Sequence, residues 1–138
     1  MKETYYSKHK KDVRKKQREY YLKNKERLNE YQREYNDNNK LKLKQQNLDN
    51  IQSKRKQVIR HYTNGTMKCQ CCGEPEYLFL TVDHIDNNGA NHRRKIGKGY
   101  TIYFWLIKND FPEGFQILCM NCNWGKARNN GVCPHGNT

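Results

Sequence analysis

The sequence predicts an α+β chain in which a long, basic helical arm over residues 1–64 precedes a small domain over 65–138, two strands and a helix tied together by cysteines. Three observations predict it. Neither glycine nor proline occurs before Gly65, whereas all nine glycines and three prolines lie from Gly65 onward. Charge is divided just as unevenly, with 19 Lys/Arg against 8 Asp/Glu in residues 1–64 and 8 against 6 in the remainder, so most of the formal net charge of +13 belongs to the first part. All six cysteines lie in the second part, four of them in two C-x-x-C pairs.

With 34% hydrophobic residues in 138, the chain can fill one small core at most, and a small core usually needs a covalent or metal tie. No apolar run approaches the ~18 residues of a membrane span, and "MKETYYSKHKK" lacks the apolar region of a secretory signal. The expectation is a soluble, cytoplasmic protein with no membrane partner. In a reducing compartment paired cysteines read as metal ligands in preference to disulfides.

Residues 5–62 are rich in Lys, Arg, Glu, Gln, Leu and Tyr, a helical composition, with a soft break expected in "YNDNNK" (35–40), where Asn and Asp compete with the backbone. Within the arm "YYSKHKKDVRKKQRE" (5–19) repeats as "YYLKNKERLNEYQRE" (20–34). A 15-residue repeat on a helix advances about 60° beyond four turns, so its tyrosines and cations form a slowly winding stripe. Lys8, Lys10, Lys11, Arg14, Arg18, Lys23, Lys25 and Arg33 are the residues expected on the phosphates of duplex DNA. A solvated, charge-laced helix is the plainer reading. Leu41, Leu48, Ile51 and Val58 fit part of a heptad, interrupted by Lys44 and Arg55, and suggest helix packing or dimerisation over 41–60, leaving monomer and homodimer both open.

Cys69 and Cys72, with Cys119 and Cys122, have the spacing with which one tight turn presents two thiolates to a tetrahedral ion, and structural zinc is the expected occupant. Gly73 suits the knuckle turn. Cys71 is surplus, and Cys133 and His135 in "GVCPHG" are read first as structural or terminal features, with a second half-site or replacement of one ligand as the alternatives. Between the pairs, "YLFLTV" (77–82) and "FQILC" (115–119) read as two hairpin strands, with Asp83 and His84 at the end of the first. "NNGANHRRKIGKGY" (87–100) reads as a Gly-rich loop whose His92, Arg93 and Arg94 grip phosphate. "IYFWLIKNDFPEGF" (102–115) reads as a short core helix ending before Pro112. "NWGKARNN" (123–130) opens a helix that offers Lys126 and Arg128 to phosphate.

The paired knuckles, "DHI" (83–85) and "LCMNCNWGK" (118–126) resemble the HNH endonucleases of the ββα-metal, or His-Me finger, superfamily over residues 67–135. The combination with a basic, tyrosine-rich arm is similar to small HNH proteins of phage and mobile elements. The resemblance implies metal-dependent hydrolysis of DNA phosphodiester bonds, with His84 as general base and a catalytic magnesium or manganese ion held by Asp83 and Asn123. Two departures stand out. The last motif residue is Asn123 in place of histidine, and Gly114 stands where the family has the asparagine that orients the base. Asn87, Asn88 and Asn91 are candidates to replace it. The alternative is a catalytically decayed zinc-knuckle protein that binds DNA or assists packaging.

Overall fold

The computed structural model describes residues 5–137; residues 1–4 and 138 of the two expected segments lie outside the described residues. The elements are α1 (Tyr5–Asn38), α2 (Lys40–Tyr62), a 3-10 turn (Tyr77–Phe79), β1 (Leu80–His84), α3 (Gly89–Ile96), α4 (Thr101–Lys108), β2 (Phe115–Cys119), α5 (Met120–Arg128) and a last 3-10 turn (Pro134–Asn137). The class is α+β, mostly helical with one small sheet. No described helix is long and apolar enough to cross a membrane.

The chain divides into two compact units, Met1–Gln46 and Asn47–Thr138. The boundary therefore falls inside α2, well ahead of the compositional step at Gly65. The reason is packing. Val58 and Ile59, in the second half of α2, are fully buried in the core of the second unit. Arg55 Nη2 donates to the carbonyls of Tyr77, Leu78 and Leu80 at 3.2, 3.0 and 2.8 Å, and its guanidinium lies 4.7 Å from the centre of the Tyr77 ring. Tyr62 donates its hydroxyl to Pro112 O at 2.7 Å, and burial pushes its pKa up to about 12. Of the four heptad residues, Leu41 and Leu48 are exposed, Ile51 is half-buried and only Val58 is buried.

In the first unit the helix breaks by a single residue. Asn39 donates both its backbone N–H and its side-chain Nδ2–H to Tyr35 O, at 3.0 and 2.8 Å, while Leu43 N–H still reaches Asn39 O at 2.9 Å. The asparagine competes with the helical ladder without cutting it. A second irregularity, at His9 (φ −107°, ψ 16°), has no counterpart in the sequence reading.

The second unit is built on β1 and β2, antiparallel, with Leu80 opposite Cys119, Val82 opposite Ile117, Asp83 opposite Gln116 and His84 opposite Phe115. β2 covers the expected residues. β1 starts three residues later than "YLFLTV", because Glu76 Oε1 accepts Leu78 N–H at 3.1 Å and Arg55 gathers the nearby carbonyls, which turns Tyr77–Phe79 into a 3-10 turn. The core is short: among the described residues Val58, Ile59, Leu80, Leu106, Ile117 and Leu118 are buried together with Cys69, Cys119 and Cys122.

Two further expectations are corrected. Residues 89–96 form α3, not a loop. The glycines of that stretch sit at its ends, and Gly97, with φ +96°, terminates a run of adequate helix formers. α5 opens at Met120, three residues early, because Cys119 takes the N-cap position and its Sγ accepts Cys122 N–H at 3.4 Å.

Candidate functional site

The two C-x-x-C pairs meet where β2 runs into α5. Gln70 N–H donates to Ile117 O at 2.9 Å, and Ile117 N–H returns to Gln70 Oε1 at 2.6 Å, pinning the first knuckle to β2. Gly73 N–H closes the knuckle turn on Cys69 O at 3.0 Å. The thiol sulfurs of Cys69, Cys72, Cys119 and Cys122 all lie within 4.8 Å of one another. The Cys72 and Cys119 sulfurs are 3.7 Å apart, too far for a disulfide. A tetrahedron with metal–sulfur bonds of about 2.3 Å has edges of about 3.8 Å. The cluster could therefore hold a metal ion such as zinc. Burial works against a thiolate at Cys69, but the N–H groups of Cys72, Cys119 and Cys71 outweigh it and bring the pKa down to about 7. Burial and the crowding sulfurs of Cys119 and Cys72 push Cys122 the other way. A cation between the sulfurs relieves that crowding.

Asp83 and His84 are adjacent in the chain but serve different surroundings, as consecutive strand residues do. Asp83 is buried, and its Oδ2 accepts Gln116 Nε2–H and the Lys126 ammonium, each at 2.7 Å. Lys126 is buried too and donates to His84 O at 2.7 Å and Ile85 O at 3.0 Å. The expectation that Lys126 reaches phosphate is thus overturned: the phase of α5 turns this residue inward onto Asp83. Asn123 lies one turn earlier on α5, at the i−3 position, on the side of the helix that Lys126 presents to Asp83. The ammonium already neutralises the carboxylate, so Asp83 and Asn123 do not fit a hard dication as they stand.

His84 ends β1 with its Nε2 2.8 Å from His92 Nδ1 and its ring 4.7 Å from the Phe115 ring. The orienting partner of His84 is therefore His92, rather than Asn87, Asn88 or Asn91. His92 was expected on phosphate; α3 instead folds it inward against Trp105, in a T-shaped contact at 4.3 Å. Its Nε2 is buried without a hydrogen-bond acceptor. Burial, and next the neighbouring His92, hold the His84 pKa below the ordinary 6.5, with Asp83 pulling upward; burial and Lys95 lower His92 as well. Both rings favour the neutral form. A methyl group at Gly89 would lie 2.9 Å from His84 Nδ1, so glycine there lets the start of α3 approach that nitrogen. Gly114, at the position of the family's asparagine, has φ +93° and its carbonyl accepts Ile85 N–H at 3.0 Å, a backbone turn that closes the strand ends and suits glycine.

His84 opens on a cleft of about 490 Å³ lined also by Arg93, Arg55, Thr81, Tyr100 and Tyr103. Arg93, Arg94 and Arg128 are exposed, as are all eight basic arm residues. Arg94 donates to Asn91 Oδ1 at 3.3 Å, and the Arg128 guanidinium sits 5.1 Å from the Trp124 ring centre. Arg55 and Gln116 are the contributors that the sequence reading misses, since each acts through a contact distant in sequence, and His92 is one that it names for a different role. Comparison of the chain with protein-family models, with curated proteins and with solved structures gave no match.

The Lys126–Asp83 pair gives a direct test of this geometry. Lys126→Met should cost about 3–5 kcal/mol in urea unfolding of the zinc-loaded chain, because it leaves a buried carboxylate without its counter-charge. Adding Asp83→Asn should recover part of that loss. A cost under about 1 kcal/mol for the single variant would contradict the buried pair.

Proposed function

We propose that the chain is a DNA endonuclease of the HNH type, hydrolysing phosphodiester bonds in duplex DNA with His84 as general base. The observation that carries this reading is the His84–His92 contact at 2.8 Å beside an open cleft that holds Arg93. A base needs a fixed ring and a free lone pair. Placing the His92 proton on Nε2, the nitrogen without an acceptor in a ring that makes a T-shaped contact with Trp105, leaves Nδ1 as the acceptor. His92 Nδ1 then accepts from His84 Nε2–H, and the lone pair of His84 is left on Nδ1, beside Gly89 at the start of α3. Water attacking phosphorus gives its proton to that nitrogen as the P–O3′ bond breaks, and the departing 3′ oxygen takes a proton from solvent. Arg93 in the same cleft suits a phosphate oxygen.

The cysteine cluster supplies structural zinc in this reading, and the basic arm supplies sequence-independent grip on the duplex. A magnesium or manganese ion would stabilise charge building on the phosphate. Asp83 and Asn123 would hold it only if Lys126 withdrew from Oδ2, and none of the steps above is routed through it. The same Lys126–Asp83 pair, with Gly114, favours a second reading, a zinc-knuckle DNA-binding protein that has lost catalysis.

Relaxation of supercoiled plasmid separates the two. The nuclease reading predicts nicked circles with wild type and magnesium, and at least a 100-fold loss in His84→Ala. Nicking that persists in EDTA yet vanishes in His84→Ala would keep the base and exclude the dication. No nicking under any condition, or equal nicking by both proteins, would leave the second reading. For the arm, deleting residues 1–38 should weaken DNA binding and flatten the dependence of log K on log salt by about 0.9 for every phosphate that the arm neutralises. An unchanged slope would remove the arm from the DNA interface.

A further inference from the structure

The Cys122 sulfur belongs to two groups of ligands, not one. Cys71, Cys122, Cys133 and His135 offer three sulfurs and a ring nitrogen that all lie within 4.8 Å of one another, beside the group of Cys69, Cys72, Cys119 and Cys122. Cys122 Sγ and His135 Nδ1 are 3.3 Å apart. Sulfur and nitrogen on one tetrahedral zinc, with bonds of about 2.3 and 2.0 Å, stand about 3.6 Å apart. The surplus thiol of the sequence is thereby accounted for, since neighbouring Cys71 and Cys72 enter different groups. The "CPH" turn is held in place by α5: a side chain at Gly125 would meet Pro134 Cδ at 3.0 Å, so its absence lets the turn approach the helix that carries Cys122.

We propose that the chain binds two zinc ions, bridged by the Cys122 thiolate. One ion takes Cys69, Cys72 and Cys119 besides the bridge; the other takes Cys71, Cys133 and His135 Nδ1. A single tetrahedral ion can use only four of these seven ligands. Six thiolates around two dications leave a net charge of two negative, the same as four thiolates around one, so the second ion offsets the charge of the two additional sulfurs. Each thiol releases its proton to water as the metal binds, with no change of oxidation state. Soft thiolate donors with one imidazole select zinc over the hard ions of a phosphate site. The proposal stands on sulfur geometry and is independent of the nuclease reading.

Native mass spectrometry of the full chain, refolded with zinc and freed of excess ion by gel filtration, should give two zinc ions per chain. A single zinc would overturn the proposal. The Cys133→Ser/His135→Ala double variant should retain one, and two zinc ions in that variant would overturn it as well. Should that variant fail to fold, cobalt-loaded wild type decides the bridge. Two cobalt(II) ions sharing a thiolate couple magnetically, so the electron paramagnetic resonance signal per cobalt should fall as the second ion enters. An undiminished signal would mean two separate sites and no bridge.

Discussion

Four sulfurs brought within 4.8 Å of one another decide where the rest of the second unit can go. Cys69 and Cys72 come from the knuckle that precedes β1, Cys119 is the last residue of β2, and Cys122 lies in the first turn of α5. Fixing them fixes the end of the sheet, the start of the helix and the angle between them. Among the described residues only six aliphatic side chains are buried alongside the cysteines. A core of that size gains too little from apolar burial to order so many loops, and a metal–thiolate tie is the strongest compensation within reach of these side chains. Because Cys119 caps α5 with its own sulfur, one of the sulfurs that could hold a metal and the helix start are one feature.

The phase of α5 sets the division of labour at the end of β1. Lys126 is turned onto Asp83 and the carbonyls of residues 84 and 85, where its ammonium serves as an internal cation. His84 faces Phe115, His92 and the cleft instead. The strand thus separates a buried charge pair, which locks helix to sheet, from a half-buried imidazole, which remains available for chemistry. α3 exists in the same economy of space: it covers His84 closely enough that residue 89 must be glycine, and it supplies the second imidazole.

What could be read in the sequence was whatever local spacing encodes. The C-x-x-C pairs, the apolar run of β2 and that of α4 each carry their own signal, and each is where the pattern places it. Composition misled at two places. Glycines at both ends of residues 89–96 hid a helix, and the glycine-free stretch ending at Asn64 hid the fact that Arg55, Val58 and Ile59 belong to the following unit. The pairing of Lys126 with Asp83 spans 43 residues and depends on the phase of α5, which no residue pattern states. His92 looked basic and exposed because its neighbours Arg93 and Arg94 are; its inward turn is a matter of helical phase as well.

The central claim is that metal–thiolate bonding organises the unit that begins at Asn47, while the helix of the basic arm forms from its own composition. Amide correlation spectra of the full chain, recorded before and after zinc is stripped by a chelator, test it most directly. The account predicts that stripping collapses the dispersed resonances of residues 69–133, including the Trp105 indole, that helical circular dichroism persists in part, and that added zinc restores the spectrum. A chelated chain whose dispersed resonances are unchanged would contradict it.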